Sequence, residues 1–131
     1  MIETIKEIKK ILTGLENDRV SYCILRNYHF LLENRLYSGK DTDIVVQKKD
    51  INKIDKFLKK EGFGRVPINP FSMHRGYAKY ITEDGNLLQF HFHLGGVTGR
   101  HVKYLDAEDI LRRRVKKEFF YHASKEDEFL V

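Results

Sequence analysis

Apolar and polar positions follow two distinct rhythms along this chain. Ile2, Ile5, Ile8, Leu12 and Leu15 recur at helical spacing with Lys and Glu between them. That spacing predicts an amphipathic helix of about four turns, ending in Glu16-Asn17-Asp18. Val20 to Leu25 is a short apolar run of the kind that forms a strand buried on both faces. Beyond a mixed stretch from Tyr28 to Lys40, the rhythm changes to a period of two. Thr42, Ile44 and Val46 fall on one side, and Asp41, Asp43 and Val45 on the other. Residues two apart on a strand share a face, so Asp41 and Asp43 are expected to project together. Asp50 then stands as an N-cap ahead of Ile51, Ile54, Phe57 and Leu58, the apolar stripe of a second helix that Gly62 stops.

The second half reads mainly as strands. Phe63 to Val66 is a short extended arm, and Pro67 and Pro70 open an irregular loop that runs to Gly76. Tyr77 to Ile81 alternates into Glu83-Asp84-Gly85-Asn86, a hairpin turn because Asp-Gly tolerates positive φ. The return strand carries Leu88, Phe90, Phe92 and Leu94 on one face and Leu87, Gln89, His91 and His93 on the other. Gly95 to Arg100 reads as a flexible segment, and no Gly-Lys-Ser/Thr follows it to make a phosphate loop. Asp106 caps a helix from Ala107 to Arg114, Lys116 to Tyr121 forms a short edge strand, and Ser124 to Asp127 opens a last helix. The three arginines at 112–114 complement the helix dipole. The sum is one α/β (α+β) domain over residues 1–131: a mixed β-sheet with helices packed chiefly on one face.

Composition narrows the class. With 131 residues, 41% apolar and 33% charged, the chain is long enough for a single core and is expected to be a folded, soluble domain. No run approaches the ~20 apolar residues of a membrane span, and Met1 leads into an amphipathic pattern rather than a signal peptide. The one cysteine, Cys23, lies inside an apolar strand, so no internal disulfide forms and a reducing, cytoplasmic setting is expected. A net charge of +5 favours nucleotide, polyphosphate or nucleic acid as partner. Lys48, Lys49, Lys53, Lys56, Lys59 and Lys60 concentrate that charge on the second helix, where it reads first as a solvated face.

Two constellations carry chemistry. In Asp41-Thr42-Asp43, adjacent carboxylates repel unless a cation lies between them, and Mg²⁺ prefers such oxygen ligands. In His91-Phe92-His93, two imidazoles share a strand face; imidazole ligates a metal or takes a proton, and favours Zn, Mn or Fe over Mg. Read without any family, the two together make a His/Asp transition-metal site on a sheet, or a solvent-facing pair beside a turn. His29, His74, His101 and His122 have no local partners and read as surface residues. Cys23 is core, and no nucleophile elbow is present, so nothing supports a Ser-His-Asp or Cys-His hydrolase.

Leu25-Arg26-Asn27, the loop, and Asp41-Thr42-Asp43-Ile44-Val45-Val46 resemble the signature of the nucleotidyltransferase-fold superfamily, related to DNA polymerase beta. The form with Leu-Arg before the loop is similar to uncharacterised bacterial and archaeal nucleotidyltransferase family proteins. The resemblance runs from about Val20 to the end. It implies a nucleotidyltransferase-like fold and a metal-dependent transfer of a nucleoside monophosphate from a nucleoside triphosphate to a hydroxyl acceptor, whether small molecule, protein or RNA. It places Asp41 and Asp43 on Mg²⁺ or Mn²⁺, and Arg26, Asn27 and Lys40 nearest the phosphates. Arg26-Asn27 stands where the superfamily has Gly-Ser. A third carboxylate is expected on the neighbouring strand, where this chain offers Gln89, His91 and His93. His91 therefore takes the third catalytic and metal-binding place. The alternatives are acid supplied by Glu83 or Asp84, or a catalytically degenerate nucleotide- or RNA-binding module of the same fold.

Overall fold

A computed structural model describes residues 2–26, 28, 31, 42–67, 73–99, 102–130. The first helix, α1 (Ile2–Asn17), leads into β1 (Tyr22–Arg26); β2 (Thr42–Val46) is followed by a single 3₁₀ turn (Lys48–Asp50) and α2 (Ile51–Lys60). Then come β3 (Gly64–Val66), β4 (His74–Ile81), β5 (Asn86–Leu94), β6 (Gly96–Gly99) and β7 (Val102–Asp106). The chain ends with α3 (Ala107–Arg113), β8 (Val115–Lys117), β9 (Phe120–His122) and α4 (Lys125–Leu130). Seven strands form one mixed sheet in the order β3-β4-β5-β2-β1-β9-β8, and β6 and β7 make a separate hairpin. The Asp-bearing strand β2 is central, antiparallel to β1 and parallel to β5.

Alternation decides the two faces of that sheet. Ile24, Ile44, Val46, Leu88, Phe90 and Phe92 are buried against Ile8, Ile11, Leu12 and Leu15 of α1 and Ile54 and Leu58 of α2. Each fully buried Leu or Ile contributes ~1.5–3 kcal/mol, so this face is the main source of stability. The other face is smaller. Cys23, Leu25 and Val45 pack there against Val97, Leu105, Ile110 and Leu111, so β6, β7 and α3 cover the β1–β2 half of the sheet. Helices α1 and α2 thus lie on one face, and the short α3 on the other. Arg113 at the end of α3 grips the buried Asp127 of α4 with two hydrogen bonds of 2.7 and 3.0 Å.

Local signals account for most element ends. Gly62 takes φ 91° just past α2, and Gly85 takes φ 68° in the β4–β5 turn, conformations that glycine adopts without a Cβ clash. Asp106 caps α3 by accepting from the Glu108 N–H at 3.1 Å. Asp50 occupies the N-cap position of α2, but its side chain makes no capping hydrogen bond.

Three expectations are corrected. Gly96–Gly99 is a strand, because it zips against β7 once Gly95 and Gly96, both at positive φ, turn the chain out of β5. The irregular loop stops short of Gly76: His74, Arg75 and Gly76 extend β4 by pairing with His93, Phe92 and His91 of β5. The segment Lys116 to Tyr121 is a hairpin rather than one edge strand. Glu118 adopts φ 48° at its turn, and β9 is an interior strand that pairs in parallel with β1.

Candidate metal centre

Asp43, on the less covered face of β2, pairs directly with His91 of the parallel neighbour β5, and Val45 pairs with His93. The pleat therefore sends Asp43, His91 and His93 to the same side. His93 Nε2 lies 3.1 Å from Asp43 Oδ1, and His91 Nδ1 lies 3.8 Å from that same oxygen. One ligand atom from each residue falls within 4.8 Å of the other two, so the group can hold a metal ion. Asp43 is only 6% exposed, and the two imidazole rings stack with centroids 5.0 Å apart.

The second carboxylate oxygen has a different partner. Arg26 Nε donates to Asp43 Oδ2 at 2.9 Å. Strict alternation from Ile24 would send Arg26 to the helix-covered face. The β1–β2 register shifts between Ile24 and Arg26, so Arg26 stands opposite Asp43. Such a bulge re-aims a side chain at the cost of one unpaired residue. Burial pushes the Asp43 carboxyl up, but the hydrogen bonds from His93 and Arg26 outweigh it and hold the group below the usual carboxylate range. Asp43 is therefore an anion at neutral pH.

His74 is the residue that sequence reasoning missed. Far from being an isolated surface group, it sits edge-on to both imidazoles, with ring centroids 4.8 Å from His91 and 4.5 Å from His93. Burial, then the neighbouring His93 and His91, push its pKa down to about 4, so it is neutral at pH 7. The signal was its position in β4 opposite His93, which the Pro-bounded loop concealed. His122 is half-buried and stacks on Tyr28 with ring centroids 4.6 Å apart. Asp84 is not available as a third acid, because it accepts from the Thr4 N–H and hydroxyl at 2.6 and 2.7 Å, at the start of α1. Asp41, Asn27, Lys40, His29 and His101 lie outside the described residues.

Two cavities of the described residues lie away from this group. One of about 550 Å³ runs between α1 and α2 beside Lys53, Lys56 and Lys60. Another of about 620 Å³ opens past the ends of β2 and β5, between Gln47, Met73, Gly95 and Glu108. No helix among the described residues is long and apolar enough to cross a membrane. No family model matches the chain, and neither a curated protein nor a solved structure matches it.

Proposed function

We propose that the protein is a metal-dependent nucleotidyltransferase that moves a nucleoside monophosphate from a nucleoside triphosphate to a hydroxyl acceptor. What supports this reading is the convergence of Asp43, His91 and His93 from neighbouring parallel strands, with Arg26 beside them. In it, the three side chains hold a divalent ion that, when bound, polarises a phosphoryl oxygen. The acceptor hydroxyl oxygen bonds to the α-phosphorus, the bond to the β-phosphate oxygen breaks, pyrophosphate leaves and the hydroxyl proton passes to solvent. Arg26, half exposed, keeps its Nε on Asp43 and offers its remaining N–H groups to a phosphate oxygen, a group its guanidinium matches in geometry. His74 packs the two ligand rings in place.

One observation favours the second reading, a nucleotide- or RNA-binding module without turnover. Among the described residues the metal group contains a single carboxylate, and a guanidinium already neutralises it. The two readings separate on pyrophosphate release from a panel of nucleoside triphosphates with small-molecule, protein and RNA hydroxyl acceptors. Transfer predicts metal-dependent release by wild type that Asp43→Asn abolishes. Nucleotide binding with no release, in wild type and in His91→Asp alike, overturns the transfer reading in favour of the module.

A further inference from the structure

We infer that Asp43, His91 and His93 build a single-ion site for a first-row transition dication of the Zn²⁺ or Co²⁺ kind, and not a site for the paired Mg²⁺ ions that nucleotidyl transfer ordinarily uses. The inference rests on reading these three residues as the metal site of the proposed enzyme, and it concerns only which ion they take.

Donor chemistry is the first argument. Two imidazole nitrogens and one carboxylate oxygen suit Zn²⁺, Co²⁺, Mn²⁺ or Fe²⁺, whereas Mg²⁺ demands oxygen ligands in a near-ideal octahedron. Geometry is the second. Ligand atoms about 2.0–2.1 Å from a tetrahedral ion stand about 3.3 Å apart. Asp43 Oδ1 lies 3.1 Å from His93 Nε2 and 3.8 Å from His91 Nδ1, and all three ligand atoms fall within 4.8 Å of one another, so the imidazoles must draw in for all three to reach one ion. Three protein ligands leave a position open for a phosphate oxygen or water, as catalytic zinc sites do.

Charge is the third argument. A pair of dications needs several anionic ligands. Here Asp43 gives Oδ1 to the histidines and Oδ2 to Arg26. One ion fits on Oδ1 without displacing the guanidinium, but a second has no anionic ligand among these residues. The rings are also held before any ion arrives. His91 and His93 stack on each other, and His74 abuts both. Holding ligand rings in the binding orientation is what outer groups do for metal sites.

The test uses the full, untagged chain stripped of metal. Equilibrium dialysis against Co²⁺ or Zn²⁺, with metal analysis, should give one ion per chain, and bound Co²⁺ should show the strong visible bands of a low-coordinate site. Millimolar Mg²⁺ should leave that ion in place. His91→Asn and His93→Gln should each weaken Co²⁺ binding by more than about a hundredfold, since even outer-group losses cost 10–100-fold. Arg26→Gln should keep the stoichiometry of one. Circular dichroism of the metal-free variants checks that each still folds. Two ions per chain, displacement of Co²⁺ by Mg²⁺, or unchanged binding in both histidine variants would overturn the inference. Pyrophosphate release is not part of this readout. One tightly held Co²⁺ with no transfer defeats the enzyme reading alone, and transfer driven by two Mg²⁺ ions defeats this inference alone.

Discussion

Metal binding at Asp43, His91 and His93 should appear as heat stability, and the size of the effect follows from the chain length. An ion bound only by the folded state raises stability by about 2.7 kcal/mol when present at a hundredfold excess over its dissociation constant. Unfolding entropy is about 2.1 cal/mol/K per residue, so 131 residues give about 0.28 kcal/mol per degree. The expected rise in Tm is therefore about 10 °C. The perturbation is Asp43→Asn, which keeps the shape of the side chain and removes its charge. Without metal it weakens charge-assisted hydrogen bonds from Arg26 and His93 to a group that is only 6% exposed. Such bonds are worth ~1.5–3 kcal/mol, and the low end applies because Arg26 is half exposed and regains water. Metal-free Asp43→Asn should thus melt about 5 °C below wild type, and the further rise with Zn²⁺ should vanish. Differential scanning calorimetry at fixed pH, with and without Zn²⁺, separates the two effects. The same 10 °C rise in wild type and in Asp43→Asn would place the ion elsewhere and refute the reasoning.

Three further outcomes test other parts of the structure. Asp127→Ala removes the buried partner of Arg113; breaking a buried pair costs 3–5 kcal/mol, but Arg113 is 40% exposed, so about 2 kcal/mol is expected in urea unfolding. Burial pushes the Asp55 carboxyl up, yet hydrogen bonds from Lys59 and Tyr77 more than offset it and hold it below its ordinary 3.8. Its stabilising contribution is therefore full above that value and is lost as pH falls through the lower folded-state value, so Asp55→Asn should lower Tm at pH 7, with the gap closing below about pH 4. The Cys23 thiol is buried and pushed up to about 12, so iodoacetamide at pH 8 should modify it only in denaturant, as mass spectrometry would show.

The alternation of β2 and β5 was legible because each strand has one largely apolar face. Ile44 and Val46, and Phe90 and Phe92, leave Asp43, His91 and His93 only one side on which to stand. That the two strands are neighbours was not legible from periodicity, since parallel pairing across an intervening helix and hairpin depends on how whole elements pack. His74 was lost for a related reason. Its segment carries no alternation of its own, and it is a strand only because β5 supplies the ladder. The position of Arg26 depends on a one-residue register shift, which no pattern of apolar residues encodes. Gly96–Gly99 was hidden by composition, since glycine has low strand propensity and pairs there only because β7 is beside it.

The charge around the site links the metal to the choice of ligand. Without an ion, the Asp43 anion and the Arg26 cation cancel, and His74 is neutral at pH 7. Such a cluster offers a triphosphate little attraction beyond what Lys53, Lys56 and Lys60 offer on α2. An added dication leaves the centre carrying two positive charges on a half-covered sheet face, where phosphate oxygens can complete its coordination. Under the proposed reading, recruitment at this face depends on metal, whereas attraction to the lysine helix does not and is screened by salt within about a Debye length. The Arg26–Asp43 pair makes the difference sharper. It neutralises the one carboxylate of the described group, so under the proposed reading the ion that Asp43 and the histidines bind also decides when an anionic substrate is held.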